Sequence, residues 1–315
     1  MVYANIMSKT LVTGANGFVG QHLVKELAKH GASVLAVGGP LVAASPSEFI
    51  KEYVTLDLAK AAEAKKIDFS DVKGVIHLAG LAAFTPSFDR PMDYITTNIG
   101  IETNLFEAAL AQGVRPRFLI ISSGTLYDTK APGPLTETSP TIANSPYSVS
   151  KLGQEQMAQY YRSRGFECII ARPFNHIGPG QGLGFIVPDL TEQVMAVAQG
   201  KRKDVLVGNL DAQRDYTDVR DIARAYRLLL EKGREGEIYN VCSGTLHSGH
   251  DILNGIIQAA HCQPVIKQDP AKMRPSDISA VAGSRQKITD DTGWNPEITL
   301  ETTLADVVAD RQAQA

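Results

Sequence analysis

Residues 9–27 read KTLVTGANGFVGQHLVKEL. A short apolar run of β type (9–13) passes straight into Gly14, Gly17 and Gly20 at three-residue spacing, and an amphipathic helical pattern follows. Glycine permits the tight turn, and without side chains there the backbone N–H groups of a helix N-terminus can close on a pyrophosphate. A glycine-rich turn that binds nothing would look the same in isolation. Its place after the first strand, however, is where a dinucleotide-binding fold keeps its phosphate site. The spacing is GxxGxxG, one position removed from GxGxxG.

Outward from this loop the pattern repeats. KTLVT (9–13), ASVLAV (32–37), EYVTL (52–56), GVIHLA (74–79), RFLIIS (117–122) and ECIIAR (167–172) predict strands. They are apolar almost throughout, as strands covered on both faces are. Helical patterns over 17–30, 58–66, 98–112 and 146–164 lie between most of them, with Gly31 and Gly165 placed to end two. The alternation predicts an α/β fold, a doubly wound parallel sheet of Rossmann type over residues 1–175.

Farther along, PFNHIGPGQGLGF (173–185) reads as a loop, VPDLTEQVMAVAQG (187–200) as a helix and DVLVG (204–208) as a strand. DVRDIARAYRLLLEKG (218–233) predicts a helix capped by Asp218, with Val219, Ile222, Ala223, Tyr226, Leu229 and Leu230 on one stripe. GEIYNVCS (236–243) reads as a strand rejoining the main sheet, and the last seventy residues as two helices mixed with short strands over the cleft. On this reading 213–248 return to the first unit, while 176–212 and 249–315 build a smaller C-terminal α/β unit for substrate.

With 43% hydrophobic and 21% charged residues the composition is that of an ordinary globular chain, and a net charge of −3 argues against nucleic acid or an anionic membrane as partner. Cys168, Cys242 and Cys262 form no CxxC pair, which suggests neither a disulfide framework nor a metal site. No apolar run approaches the roughly 18 residues of a membrane span. MVYANIM lacks the basic start of a signal peptide, so a cytoplasmic protein is expected.

The second predicted strand ends AVGGP, placing Gly38 and Gly39 where an NAD-specific site offers an acid to the ribose hydroxyls. No arginine stands there for a 2′-phosphate, so NADP(H) and NAD(H) both remain open. Asp57 either meets the adenine or caps a helix. In PYSVSKLGQE (146–155), Ser145 and Pro146 start a helix that puts Tyr147 and Lys151 on one face. A nearby ammonium favours the phenolate; bringing a tyrosine from near 10 to near 7 takes about 4 kcal/mol. ISSGTLYD (121–128) sets Ser122 and Ser123 at a strand end, where either would bond a substrate oxygen or cap a turn.

Gly14, Gly17 and Gly20, HLAG (77–80), Asn98 in TTNIGIETNLFEAA, SSGTLY (122–127) and the Tyr147–Lys151 pair, in that order over nearly the whole chain, resemble the extended short-chain dehydrogenase/reductase family of nucleotide-sugar enzymes. The resemblance implies a catalytic set of Ser123, Tyr147 as acid/base and Lys151 as its electrostatic partner and ribose contact. It implies cofactor contacts from Gly14, Asn16, Gly17, Phe18, Val19 and Gly20 in the loop, Asp57 and Leu58 after the third strand, and Leu78, Ala79 and Gly80 after the fourth. Ser122 joins them, with Asn98 as a structural asparagine and Pro173 beneath the nicotinamide carboxamide.

RPFNHIGPGQ (172–181), NLDAQRDYTDVRDIARAY (209–226) and RPSDI (274–278) are similar to family members that reduce GDP-4-keto-6-deoxy-D-mannose to GDP-D-rhamnose. That similarity implies Arg214, Arg274 and Asn175 on the diphosphate of a GDP-linked sugar, and Phe185 and Val187 near the base. The family's dehydratases carry an acidic pair after the catalytic Ser/Thr; here Gly124 and Thr125 stand there, so dehydration is not expected. Asp128 replaces a more usual glycine. Two alternatives are an NAD-retaining 4-epimerase of UDP-sugars and a non-catalytic NADPH-binding sensor. The resemblance also implies a homodimer through the helices at 98–112 and 146–164.

Overall fold

The computed structural model describes residues 9–39, 49–50, 52–273 and 280–314. Its central sheet is built from Lys9–Thr13 (β1), Ser33–Gly38 (β2), Glu52–Thr55 (β3), Gly74–His77 (β4), Arg117–Ile121 (β5), Cys168–Pro173 (β6) and Ile238–Val241 (β10). All pair in parallel, in the order β10-β6-β5-β4-β1-β2-β3. The order reverses between β1 and β4, and such a switch opens a crevice at the carboxyl ends of the strands.

Side-chain alternation explains why these strands read as unbroken apolar runs. Val12, Val34 and Ala36 join one core with Phe18–Lys29 (α1) and Val219–Lys232 (α6), through Leu23, Leu27, Ile222, Tyr226 and Leu229. Their neighbours Leu11, Leu35 and Val37 join the opposite core, beneath Pro91–Ala111 (α3) and Pro146–Ser163 (α4). There Phe106 stacks on Phe118 at 4.1 Å and on Tyr161 at 4.2 Å. Truncating such a ring to alanine costs about 3–5 kcal/mol.

The helix predicted at 98–112 is longer than its pattern suggested, because Pro91 occupies its first turn and starts it seven residues before Asn98. The pattern at 58–66 shrinks to one turn, Ala61–Ala64 (α2). The predicted loop at 173–185 contains a short strand, Asn175–Ile177 (β7), and an unpredicted strand, Gln213–Asp218 (β9), pairs with it. Leu246–Ser248 (β11) and Ala280–Val281 (β13) complete that sheet, while Asp204–Val207 (β8) pairs with Val265–Gln268 (β12). Ile186–Ala198 (α5), Gly249–Ala259 (α7) and Leu300–Ala313 (α9) enclose a further apolar core.

Among the described residues from 246 on there are three α-helices where two were expected, the additional one being Gln286–Thr292 (α8). Ile288 and Trp294 pack into the core of α1 and α6, so 286–294, expected with the smaller unit, lie against the main sheet. Trp294 Nε1 donates to the Asp221 carbonyl at 2.9 Å. Among the described residues no helix is long and apolar enough to cross a membrane.

Candidate active site

Gly14 takes φ +67°, a left-handed conformation, and its N–H donates to the Val37 carbonyl at 2.8 Å. A side-chain carbon on Gly20 would overlap the Gly14 carbonyl, so α1 packs on the loop only because that carbon is absent. Gly17 caps α1 without a side-chain bond, and the first turn holds no acid. The free N–H groups and the positive end of the helix dipole therefore suit a pyrophosphate. Asn16 is buried beside them, Phe18 lies flat against His176 with ring centres 6.1 Å apart, and Val19 packs on the first core.

Other cofactor candidates are more committed to the protein itself. Asp57 accepts from the Ala59 N–H at 3.2 Å and pairs with Lys60 at 3.1 Å, the turn-forming role. Leu58 is buried in the second core; Leu78 and Ala79 pack half-buried on opposite faces of the sheet. Asn98 is fully buried and fully engaged: it donates to Leu81 O at 3.1 Å and Ser150 Oγ at 2.9 Å and accepts from Leu81 N at 2.7 Å. It ties the segment after Gly80 to α4, so its amide is a brace rather than a ligand contact.

Ser145 caps α4, accepting from Ser148 N at 3.0 Å, with Pro146 in the first turn. Tyr147 is thereby fixed between the ring edges of Phe84 (6.3 Å) and Tyr94 (6.4 Å). Ser122 and Ser123 follow the end of β5, and Ser123 Oγ also accepts from Thr125 N at 3.2 Å, so the serine caps a turn as well. Pro173 ends β6 nearby, paired with Val241.

The expected electrostatics differ in one respect. Burial pushes the Tyr147 phenol above its ordinary value; the Ser123 hydroxyl pulls it back, and Tyr94 adds to the rise. The Lys151 side chain is held by other partners. Its ammonium donates to the Ile121 carbonyl at 2.8 Å and to Gln154 Oε1 at 2.9 Å, at 5.9 Å from the centre of the Tyr147 ring. Burial lowers Lys151 itself to about 8, with Glu102 and Glu155 opposing the fall. The shared helix face is as expected, but the lysine serves the end of β5 first.

The substrate candidates spread over the second sheet. Asn175 is exposed at the start of β7, opposite Tyr216 of β9. Arg214 sits on β9, its Nη1 donating to Gln213 O at 2.8 Å. Phe185 is 46% exposed at the N-cap of α5, open to a ligand. Val187 is fully buried among Leu190 and Val194, so its side chain serves the core and not the base. Arg274 lies outside the described residues.

Several polar groups beneath the site escaped the sequence reading. Glu155 is buried, accepts from Ser122 Oγ at 2.5 Å, and forms a two-pronged pair with Arg172 at 2.8 and 2.7 Å. Arg172 lies 4.9 Å over the Tyr127 ring, and Tyr127 donates to Asn240 at 2.6 Å. One signal was available, since Tyr147, Lys151 and Glu155 recur at four-residue spacing on one helix face. Asp215 accepts from Ser243 N, Ser243 Oγ, Gly244 N and Gly283 N. Among the described residues, no cluster of His, Cys, Asp and Glu could hold a metal ion.

A glycine loop at the first strand and a Ser–Tyr–Lys set at the crevice mark a dinucleotide-dependent enzyme. Residues 11–307 match the family described as GDP-mannose 4,6 dehydratase. The chain belongs to this family, a branch of the extended short-chain dehydrogenases/reductases. It is 34% identical over 310 residues to the GDP-6-deoxy-D-mannose reductase of Pseudomonas aeruginosa, covering 97% of this chain and 98% of that one. It is 28% identical to the GDP-6-deoxy-D-talose 4-dehydrogenase of Aggregatibacter actinomycetemcomitans, over 89% and 90% of the two chains. The structure of RMD from Pseudomonas aeruginosa complexed with NADPH superposes with a TM-score of 0.84 at 32% identity, over 98% and 100%. That of the Thermus thermophilus UDP-glucose 4-epimerase with NAD gives 0.86 at 25%, also over 98% and 100%.

Proposed function

We propose that this family member is an NAD(P)H-dependent 4-ketoreductase of a nucleotide-linked 4-keto-6-deoxy sugar, converting GDP-4-keto-6-deoxy-D-mannose to GDP-D-rhamnose. The carrying observation is a buried phenol held in its protonated form beside Ser123, with no carboxylate following that serine. Gly124 is also closed to one, because a side-chain carbon there would come within 2.9 Å of the Phe174 ring. A dehydratase needs an acid or base at that point to remove water; Gly124 and Thr125 supply neither. The similarity to a GDP-6-deoxy-D-mannose reductase over almost the full length supports the GDP-linked substrate.

In this scheme the bound NAD(P)H supplies hydride to C4 of the sugar. Tyr147 donates its phenolic proton to the oxygen that becomes the C4 hydroxyl, and Ser123 holds that oxygen. Lys151, fixed at the end of β5, binds the ribose and neutralises the phenolate left behind. Arg214, Arg274 and Asn175 hold the diphosphate, so binding far from C4 fixes its geometry at the reacting centre. The units at 1–175 with 213–248 and 286–294, and at 176–212 with the rest of 249–315, divide cofactor from sugar. We further infer a cytoplasmic homodimer joined through α3 and α4.

The test is a panel of GDP-, UDP- and dTDP-4-keto-6-deoxy sugars with NADPH and NADH, following cofactor oxidation and product configuration. One equivalent of oxidised cofactor per GDP-sugar turned over is the expected result. Interconversion of a UDP-sugar without net oxidation would replace the reductase reading with a 4-epimerase.

A further inference from the structure

In dinucleotide folds the end of the second strand is where the adenosine ribose is read. Here that place is held by Gly38 and Gly39, which supply neither an acid nor a guanidinium. A side-chain carbon on Gly38 would overlap the hydroxyl oxygen of Tyr53 and lie 3.1 Å from Asn16 Nδ2. Tyr53 belongs to the neighbouring strand β3, opposite Ala36, and its ring reaches along β2 to the glycine loop. The glycine is therefore needed to admit the phenol.

The Tyr53 hydroxyl is shut off from water and bonds nothing among the described residues. The carbonyls at hand already have donors: Val37 O accepts from Gly14 and Ala15, and Gly38 O from Leu56. Leaving a buried hydroxyl unpaired costs on the order of 1–3 kcal/mol, so such a group calls for a partner that the protein does not itself supply. It lies against Gly38 at the end of β2, on the side where Asn16 of the glycine loop approaches.

We propose that Tyr53 reads the 2′ position of the adenosine ribose, donating its phenolic hydrogen to the oxygen there, hydroxyl in NADH or phosphate in NADPH. An uncharged donor neither repels a 2′-phosphate, as an acid would, nor depends on one, as a guanidinium does. The bond to phosphate is the stronger of the two because its acceptor is charged. The site therefore accepts both cofactors with a bias toward NADPH. This inference rests on the family's dinucleotide and not on the identity of the sugar.

The experiment is calorimetric titration of the sugar-free full chain with NADPH, NADH and 2′-deoxy-NADH, in the natural protein and in Tyr53→Phe. Tyr53→Phe is expected to weaken NADPH roughly tenfold or more and NADH roughly threefold to tenfold, leaving 2′-deoxy-NADH unchanged. Equal weakening of all three would make Tyr53 a packing residue and overturn the proposal, as would unchanged binding of all three. Should Tyr53→Phe not fold, Gly38→Ala, which displaces the phenol, carries the same comparison, and the same two results would overturn the proposal. Since no sugar is present, failure here leaves the ketoreductase reading standing, and failure of the sugar panel leaves these affinities as they are.

Discussion

The Lys151 ammonium stands 5.9 Å from the centre of the Tyr147 ring, yet its hydrogens go to the Ile121 carbonyl and to Gln154. Burial lowers its pKa from 10.5 to about 8, so it loses its charge within an accessible range. Ketosugar reduction should hold level toward neutrality and fall as pH rises through about 8. Unfolding does not account for that fall. Between the folded value and 10.5 the unfolded chain binds more protons at this site, so its contribution to stability rises with pH. A pH profile of kcat/KM measured beside thermal midpoints should show activity declining while this group does not lower the midpoint.

In the proposed scheme Tyr147 is the proton donor in the reductive direction, and burial keeps that proton in place. Tyr147→Phe keeps the ring between Phe84 and Tyr94 and removes only the acid. The expected loss in kcat is about 10²–10⁴-fold, the usual worth of positioned acid–base catalysis. NADPH affinity, measured by titration, should stay nearly constant. Turnover within a few-fold of the natural protein would refute the assignment.

Glu155 joins α4 to β6 through Arg172 and reaches Ser122, next to the proposed catalytic Ser123. Both partners are buried, and removing the charge of one leaves the other stranded; breaking such a pair costs about 3–5 kcal/mol. Glu155→Gln should show that loss in denaturant unfolding, with reduced kcat as Ser122 and Ser123 lose their anchor. A stability change under about 1 kcal/mol would mean that Arg172 is not left stranded and finds another partner or water.

What was legible in the chain follows from how each part is stabilised. The main sheet is buried on both faces, so Leu11 and Val12, or Val34 and Leu35, are all apolar although they face opposite ways. β9 was hidden because its buried residues Asp215, Thr217 and Asp218 are all polar, the two aspartates held by hydrogen bonds, and so leave no apolar alternation. The spacing of Tyr147 and Lys151 set their common face but not the direction of the ammonium, which depends on a carbonyl thirty residues earlier in sequence. Tyr53 could not be singled out, since its meaning comes from reaching across to Gly38 on another strand.

Glu102 is fully buried in α3 and neither of its carboxyl oxygens has a hydrogen-bond partner among the described residues. Burial pushes its pKa well above 4.5, opposed chiefly by the Lys151 charge. The folded chain therefore holds a proton that the unfolded chain releases, and this site loses stability as pH rises above 4.5. Glu102→Gln should raise the thermal midpoint at pH 8 and lose that advantage near pH 4. A midpoint lowered equally at both values would show that the carboxyl group is needed for packing.

Asp215 and Arg214 are neighbours on β9 with opposite tasks. The arginine is a candidate for the diphosphate, and the aspartate is buried, accepting from Ser243 N at 2.8 Å, Ser243 Oγ at 2.6 Å, Gly244 N at 2.8 Å and Gly283 N at 3.2 Å. Burial raises its pKa while these donors pull it down, so the carboxylate is the form they favour. It thus clasps β9 to the segment after β10 and to the end of β13, and fixes the strand that carries Arg214. Asp215→Asn replaces one acceptor oxygen by an N–H₂ donor facing donors, a loss of about 1–3 kcal/mol. If the clasp positions Arg214, KM for the sugar nucleotide should rise roughly tenfold, an equivalent of about 1.4 kcal/mol of binding, with kcat within a few-fold and NADPH affinity unchanged. A kcat loss of the same size with KM unaltered would instead place Asp215 in support of Tyr147 and Ser123.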